Sequence, residues 1–215
     1  MITNLLIDLD GTLTDPKSGI LNCVRHAVEQ LGHDCPPEDE LLWFIGPPLR
    51  ESFQTLLGCS IDEAEEAVAI YRERFGTIGL LENDVFEGVS DLLAEQSSLE
   101  KRLFIASTKP HVYIHPILEH FEIKHWFEHI YGSELDGTRA VKSDLLRYIF
   151  AELNLNPDKT VMIGDRVQDM DAAKAVGVRS IWVDYGYGDE AERNAAKPDH
   201  ICSSIEDLKL LLNSI

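Results

Sequence analysis

The sequence predicts an α/β protein: a Rossmann-like parallel sheet with helices on both faces, plus a small α-helical bundle inserted after the first strand. Three observations carry this. From residue 85 onward, short apolar runs at 103–106, 160–163 and 179–183 alternate with stretches of helical periodicity, the pattern of βα units in a parallel sheet. Between residues 17 and 82 the helical spacing continues without an intervening strand. Several of the apolar runs end in polar residues, as strands do where an open α/β sheet presents its ligand edge.

The first run, Leu5-Leu6-Ile7, reads as a buried strand leading into Asp8, Leu9, Asp10, Gly11 and Thr12. Strand residues two apart share a face, so Asp8 and Asp10 can converge on one ligand. Carboxylates beside an apolar run are costly unless they are paired or bind metal. Gly11 then permits a tight turn. Ile20, Leu21, Val24, Ala27, Val28 and Leu31 recur at helical spacing, and Gly32 ends the pattern. Further helices are expected at 38–44, stopped by Gly46-Pro47-Pro48, at 49–57, and at 62–75 with Ser60 or Asp62 as N-cap. This assigns 16–82 to a helical cap domain and 1–15 with 83–215 to a catalytic core. Trp43, Phe44 and Phe53 belong in the cap's apolar interior by this reading.

In the core, helices are expected at 89–99, 112–121, 142–153, 169–176 and 204–212. Ser204-Ile205-Glu206-Asp207 opens the last with a capping-box pattern. Short strands are expected at 130–131 and near residue 201, beside the longer runs.

Composition narrows the partners. Lys and Arg number 19 against 38 Asp and Glu, a net charge of −19. That argues against a nucleic acid polymer, whose phosphates recruit basic patches. An anionic substrate would need a metal ion and a few placed cations to overcome the field. No apolar stretch approaches a membrane span, and the N-terminus has no basic region or signal-like apolar segment. Cys23, Cys35, Cys59 and Cys202 form no C-x-x-C pair and no zinc spacing, so free thiols in a reducing cytoplasm are expected. The pattern leaves monomer and homodimer both open.

Strand ends should gather the chemistry. Asp8 and Asp10 end the first, Ser107 and Thr108 the second, and Asp165 the third, with Asp169 one helical turn later and Lys142 opening a helix between them. Carboxylate oxygens suit Mg²⁺, which commonly keeps waters and a substrate phosphate as further ligands. His111 and His115 share a helical face at i and i+4, a spacing that can bind metal. No carboxylate or cysteine completes a recognised motif around them, which favours exposed or capping histidines.

These motifs resemble the haloacid dehalogenase superfamily, in its Mg²⁺-dependent phosphatase branch with a helical cap. The match runs along essentially the whole chain: D-x-D-G-T over Asp8 to Thr12, a strand-ending hydroxyl at Ser107, a lysine at Lys142, and G-D-x-x-x-D from Gly164-Asp165 to Asp169. The resemblance implies Asp8 as nucleophile, Asp10 as general acid and base, and Mg²⁺ held by Asp8, the Asp10 carbonyl and Asp165. It implies that Gly11, Thr12, Ser107 and Thr108 contact the phosphoryl group, that Lys142 neutralises charge, and that Asp169 orients it from behind. Lys109 is the alternative lysine, because Ser143 and Asp144 follow Lys142 where proline is frequent in the family. Arg50 is a candidate for reading the substrate from the cap. The implied substrate is a small phosphorylated metabolite, with phosphoglycolate and a nucleoside 5′-monophosphate as the leading labels. A sugar-phosphate mutase and a non-catalytic phospho-ligand module are the alternatives.

Overall fold

The computed structural model describes all 215 residues. They divide into two compact units, Met1–Asp15 with Val85–Ile215, and Pro16–Asp84.

The larger unit is built on six parallel strands in the order β5-β4-β1-β6-β7-β8. These are β1 (Asn4–Ile7), β4 (Arg102–Pro110), β5 (His129–Ser133), β6 (Thr160–Gly164), β7 (Arg179–Val183) and β8 (His200–Cys202). β2 (Thr14–Asp15) and β3 (Asp84–Val85) form a separate two-stranded sheet. β1 is central: Ile7 pairs with Ile105 on one side and Ile163 on the other. A central parallel strand is covered on both faces, and all four residues of β1 are buried. Leu6, Phe104 and Met162 point to one face, where Leu145, Leu146 and Ile149 of α6 (Lys142–Leu153) and Ala172 and Ala173 of α7 (Val167–Val176) close over them. Leu5 and Ile7, also buried, alternate to the other face. The unit's other helices are α4 (Val89–Ser98), α5 (His111–His120), α8 (Glu190–Ala196) and α9 (Ile205–Ser214).

The smaller unit holds α1 (Lys17–Gln30), α2 (Leu49–Leu57) and α3 (Ile61–Phe75). The expected helix at 38–44 is instead two 3₁₀ turns, Glu38–Glu40 and Leu42–Phe44. The segment lies between Pro37 and Gly46-Pro47-Pro48, too short a run to repay helix nucleation. Its apolar residues still pack: Phe44 is buried and meets Phe53 edge-on at 5.1 Å, and Phe53 meets Tyr71 at 6.3 Å. Trp43, expected inside, is 41% exposed. Ser60 caps α3 in a reciprocal box: its side chain accepts from the Glu63 N–H at 3.3 Å and the Glu63 carboxylate accepts from the Ser60 N–H at 2.9 Å.

No helix is long and apolar enough to cross a membrane, and the four cysteines form no disulfide.

Candidate active site

The site forms at the carboxyl ends of three neighbouring strands, β4, β1 and β6. Asp8 follows β1 directly, its N–H held by the Ile163 carbonyl at 2.9 Å. The chain then turns tightly, with the N–H groups of Thr12, Leu13 and Thr14 all donating to the Leu9 carbonyl. Gly11 makes this turn at φ +82°, and a Cβ there would strike the Asp165 carboxylate. The glycine thus allows both the backbone reversal and the close approach of the β6 carboxylate.

Two lysines face two aspartates. Lys142, at the start of α6 and only 4% exposed, places its Nζ 2.9 Å from Asp8 Oδ1 and 2.7 Å from Asp169 Oδ1. Lys109, near the end of β4, places its Nζ 2.6 Å from Asp10 Oδ2. The second Asp10 oxygen, Oδ1, is buried without a hydrogen-bond partner. Asp169 Oδ2 accepts the Arg166 N–H at 3.1 Å, fixing the carboxylate at the first turn of α7. Asp165 Oδ2 accepts the Tyr187 N–H at 2.8 Å. Ser107 is buried, and its Oγ accepts the Lys109 N–H at 3.3 Å; the Thr108 carbonyl accepts from Ser133 Oγ at 2.7 Å.

Burial sets the proton affinities. It pushes Asp165 up to about 8, helped by the charges of Asp169 and Asp8. It pushes Asp169 to about 6, with Lys142 opposing. Asp10 is raised by burial against the pull of Lys109. Lys142 feels burial in the opposite sense, but Asp169 and Asp8 outweigh it and hold the ammonium above its ordinary value.

Asp8, Asp165 and Asp169 each offer an oxygen, and the three oxygens lie within 4.8 Å of one another. This donor set, hard and anionic, fits Mg²⁺, and the proton affinity of Asp165 marks a carboxylate short of positive charge. The metal set expected from sequence is Asp8, the backbone carbonyl of Asp10, and Asp165. The Asp10 side chain is engaged by Lys109, which leaves that expectation untouched, and Asp169 lies within the carboxylate group while also holding Lys142.

Gly11, Thr12, Ser107, Thr108, Lys109 and Lys142 all lie on the segments that converge here. Arg50 lies in the smaller unit, where its exposed guanidinium pairs with Glu65 at 3.0 Å. His111 and His115 face each other on α5, Nε2 to Nε2 at 2.9 Å. Sequence reasoning missed the segment after β7. Tyr185 donates its hydroxyl to the Thr12 carbonyl at 3.0 Å, and Tyr187 hydrogen-bonds Asp15 through its own. The available signal was the Asp184-Tyr185-Gly186 strand end, the same kind of terminus that flagged the other three.

A parallel sheet with an aspartate pair after β1, a hydroxyl in the last residues of β4 and two aspartates after β6, one of them paired to Lys142, defines a hydrolase site of the haloacid dehalogenase type. The chain belongs to that family: the model of haloacid dehalogenase-like hydrolases matches residues 5–183. It is an enzyme of the family's phosphatase group. A 5′-nucleotidase of Pseudomonas aeruginosa is 44% identical over 211 residues, covering 98% of this chain and 96% of that protein. A tyrosine-protein kinase of Mycobacterium tuberculosis, PtkA, is 38% identical over 86% of this chain but only 62% of its own length. A phosphoglycolate phosphatase of Colwellia psychrerythraea is 26% identical over 97% of this chain and 96% of that protein. The crystal structure of a predicted phosphatase from Clostridium acetobutylicum superposes with a TM-score of 0.94 at 34% identity, with both chains covered completely.

Proposed function

We propose that this protein is a Mg²⁺-dependent phosphomonoester hydrolase of small phosphorylated metabolites, working through an aspartyl-phosphate on Asp8. The observation that carries this reading is the buried Asp8–Lys142–Asp169 ion-pair chain beside Asp165. Asp8, Asp165 and the Asp10 carbonyl would hold Mg²⁺, with Asp169 behind them. When bound, the cation supplies the positive charge that lets an anionic carboxylate meet an anionic phosphate.

The chain's own residues do the rest. Asp8 attacks phosphorus, forming an O–P bond as the ester oxygen leaves. Asp10, whose proton affinity is raised by burial, gives its proton to the leaving alcohol and then takes one from the water that cleaves the acyl phosphate. Lys109 positions the Asp10 carboxyl and leaves Asp10 Oδ1 without a protein partner. Ser107 Oγ and the Thr108 amide bind phosphoryl oxygens, and Gly11 and Thr12 contact the phosphoryl group from the turn after β1. Lys142 balances charge on Asp8 and on the transferring group.

By this reading 1–15 and 83–215 are the catalytic core, 16–82 is the cap, and Arg50 reads the substrate from the cap. The 44% identity to a 5′-nucleotidase favours a nucleoside 5′-monophosphate over phosphoglycolate. Four cysteines that form no disulfide support a cytoplasmic setting.

The test is phosphate release from a panel of nucleoside 5′-monophosphates, phosphoglycolate, sugar phosphates and pyrophosphate, with Mg²⁺ and with EDTA. Preference for a nucleoside monophosphate, only with Mg²⁺, is the expected outcome. Turnover that persists in EDTA overturns the mechanism, and interconversion of sugar phosphates without release points to the mutase.

A further inference from the structure

The segment after β7 is the least explained part of the site. Its two tyrosines flank Gly186 and both reach the turn that follows β1: Tyr185 to the Thr12 carbonyl, Tyr187 to the Asp15 carboxylate. Between them the backbone presses on Asp165. The Tyr187 N–H donates to Asp165 Oδ2 at 2.8 Å, and a Cβ at Gly186 would collide with the Asp165 side chain and the Gly11 carbonyl. The Phe86 ring packs edge-on against Tyr185 at 5.2 Å, closing that end of the segment. Asp165 is 1% exposed, so this amide is its main fixed donor; Thr12 Oγ1 stands at the limit of hydrogen-bond distance, 3.4 Å from Oδ1.

We propose that Tyr187 is a positioning residue for Asp165. Its phenol, anchored on Asp15, holds the 185–188 backbone so that the Tyr187 amide occupies Oδ2 and turns Oδ1 toward the cation site. Burial and the Asp15 carboxylate raise the proton affinity of the phenol, which keeps it a donor. Hydrogen bonds behind a ligand fix its orientation and are felt in metal affinity. Asp15 ends β2, the short strand that follows the turn carrying Asp10 and Gly11, so one hydroxyl ties the β6 carboxylate to the segment carrying the D-x-D motif. The inference rests on the metal-dependent reading above, and the test separates the two.

Tyr187→Phe removes only the hydroxyl. In the intact chain, calorimetric titration with Mn²⁺ and Mg²⁺ should show affinity weakened by about tenfold, with kcat restored at saturating metal and only the metal activation constant raised. Asp15→Asn, which keeps an acceptor for the phenol, should stay near wild type. Asp15→Ala should match Tyr187→Phe, and the double variant should be no worse than either single one. Metal affinity unchanged in Tyr187→Phe overturns the proposal, as does a loss of kcat that saturating metal does not restore. Crystal structures of metal-free wild type and Tyr187→Phe give a readout independent of metal binding: a second Asp165 rotamer in the variant supports the positioning role, and one unchanged rotamer refutes it. If wild type itself binds no Mg²⁺, the metal-dependent reading fails, while the rotamer comparison still decides the role of Tyr187.

Discussion

Asp8 and Lys142 set the terms at the residue scale. Lys142 is the cation between two buried carboxylates, Asp8 and Asp169. Removing it as Lys142→Met strands both charges, a kind of change that costs on the order of 3–5 kcal/mol. Urea unfolding should show that loss together with a collapse of turnover. A stability within 1 kcal/mol of wild type, about the median value of an exposed ion pair, would contradict the buried-pair account. Asp8→Asn keeps the shape and removes the nucleophile, so turnover should vanish while circular dichroism and melting stay close to wild type. Retained turnover would remove Asp8 from the mechanism. The sequence made both residues visible, Asp8 through the D-x-D spacing and Lys142 through its place at a helix start. It left Lys142 and Lys109 as rivals. The structure gives Lys109 to Asp10 and Lys142 to Asp8 and Asp169, because two strand ends and a helix start meet where no local pattern records it.

Elements decide which side chains can meet. β6 delivers Asp165 and α7 folds Asp169 back over Gly164, where a Cβ would strike the Asp169 carboxylate. Gly164→Ala should therefore displace Asp169 from Lys142 and lower kcat by about 10²-fold, the order expected when catalytic groups shift by roughly 1 Å. Steady-state kinetics at saturating Mg²⁺ checks it, and unchanged kcat would mean the site tolerates the displacement. In the smaller unit, Ser60→Ala removes the α3 capping box and should cost about 1 kcal/mol in chemical denaturation without changing kcat. Most elements were legible from apolar periodicity. α2 and α6 match their expected spans residue for residue. α8 was missed because Glu190–Ala196 is short and polar, with only Ala196 buried; its N-cap, Asp189, is the one local cue. β4 runs on from Ala106 to Pro110 because β5 pairs with it again after a register shift, Pro110 opposite Ser133. That pairing belongs to the partner strand and leaves no trace in the apolar run.

The whole molecule responds to pH through the same carboxylates. Asp165 has its proton affinity raised from 3.8 to about 8 in the fold. Between those values the folded state keeps a proton that the unfolded chain has released, so this contribution to stability is full at low pH and lost as pH rises through about 8. In EDTA the melting temperature should therefore fall between pH 5 and pH 8, and Asp165→Asn should flatten that slope. Added Mg²⁺ should raise the melting temperature more at pH 8 than at pH 5, since the ion binds the deprotonated carboxylate. Parallel slopes for wild type and Asp165→Asn would show that other groups carry the pH response.

The sequence by itself determined the α/β class, the run of helices after the first strand and the motifs at three strand ends and one helix start, because periodicity and turn chemistry are written locally along the chain. The net charge of −19 set the same problem, since an anionic substrate then requires local cations. Only the tertiary structure decided which lysine faces which aspartate, that Asp169 stands among the carboxylates, and that Tyr185 reaches the Thr12 carbonyl while the Tyr187 amide donates to Asp165. Those are contacts between segments separated by more than 100 residues in several cases, as with Lys142 and Asp8 or Tyr187 and Asp15. They exist because a parallel sheet brings the carboxyl ends of successive strands to one edge, where burial then forces each charge to find a partner.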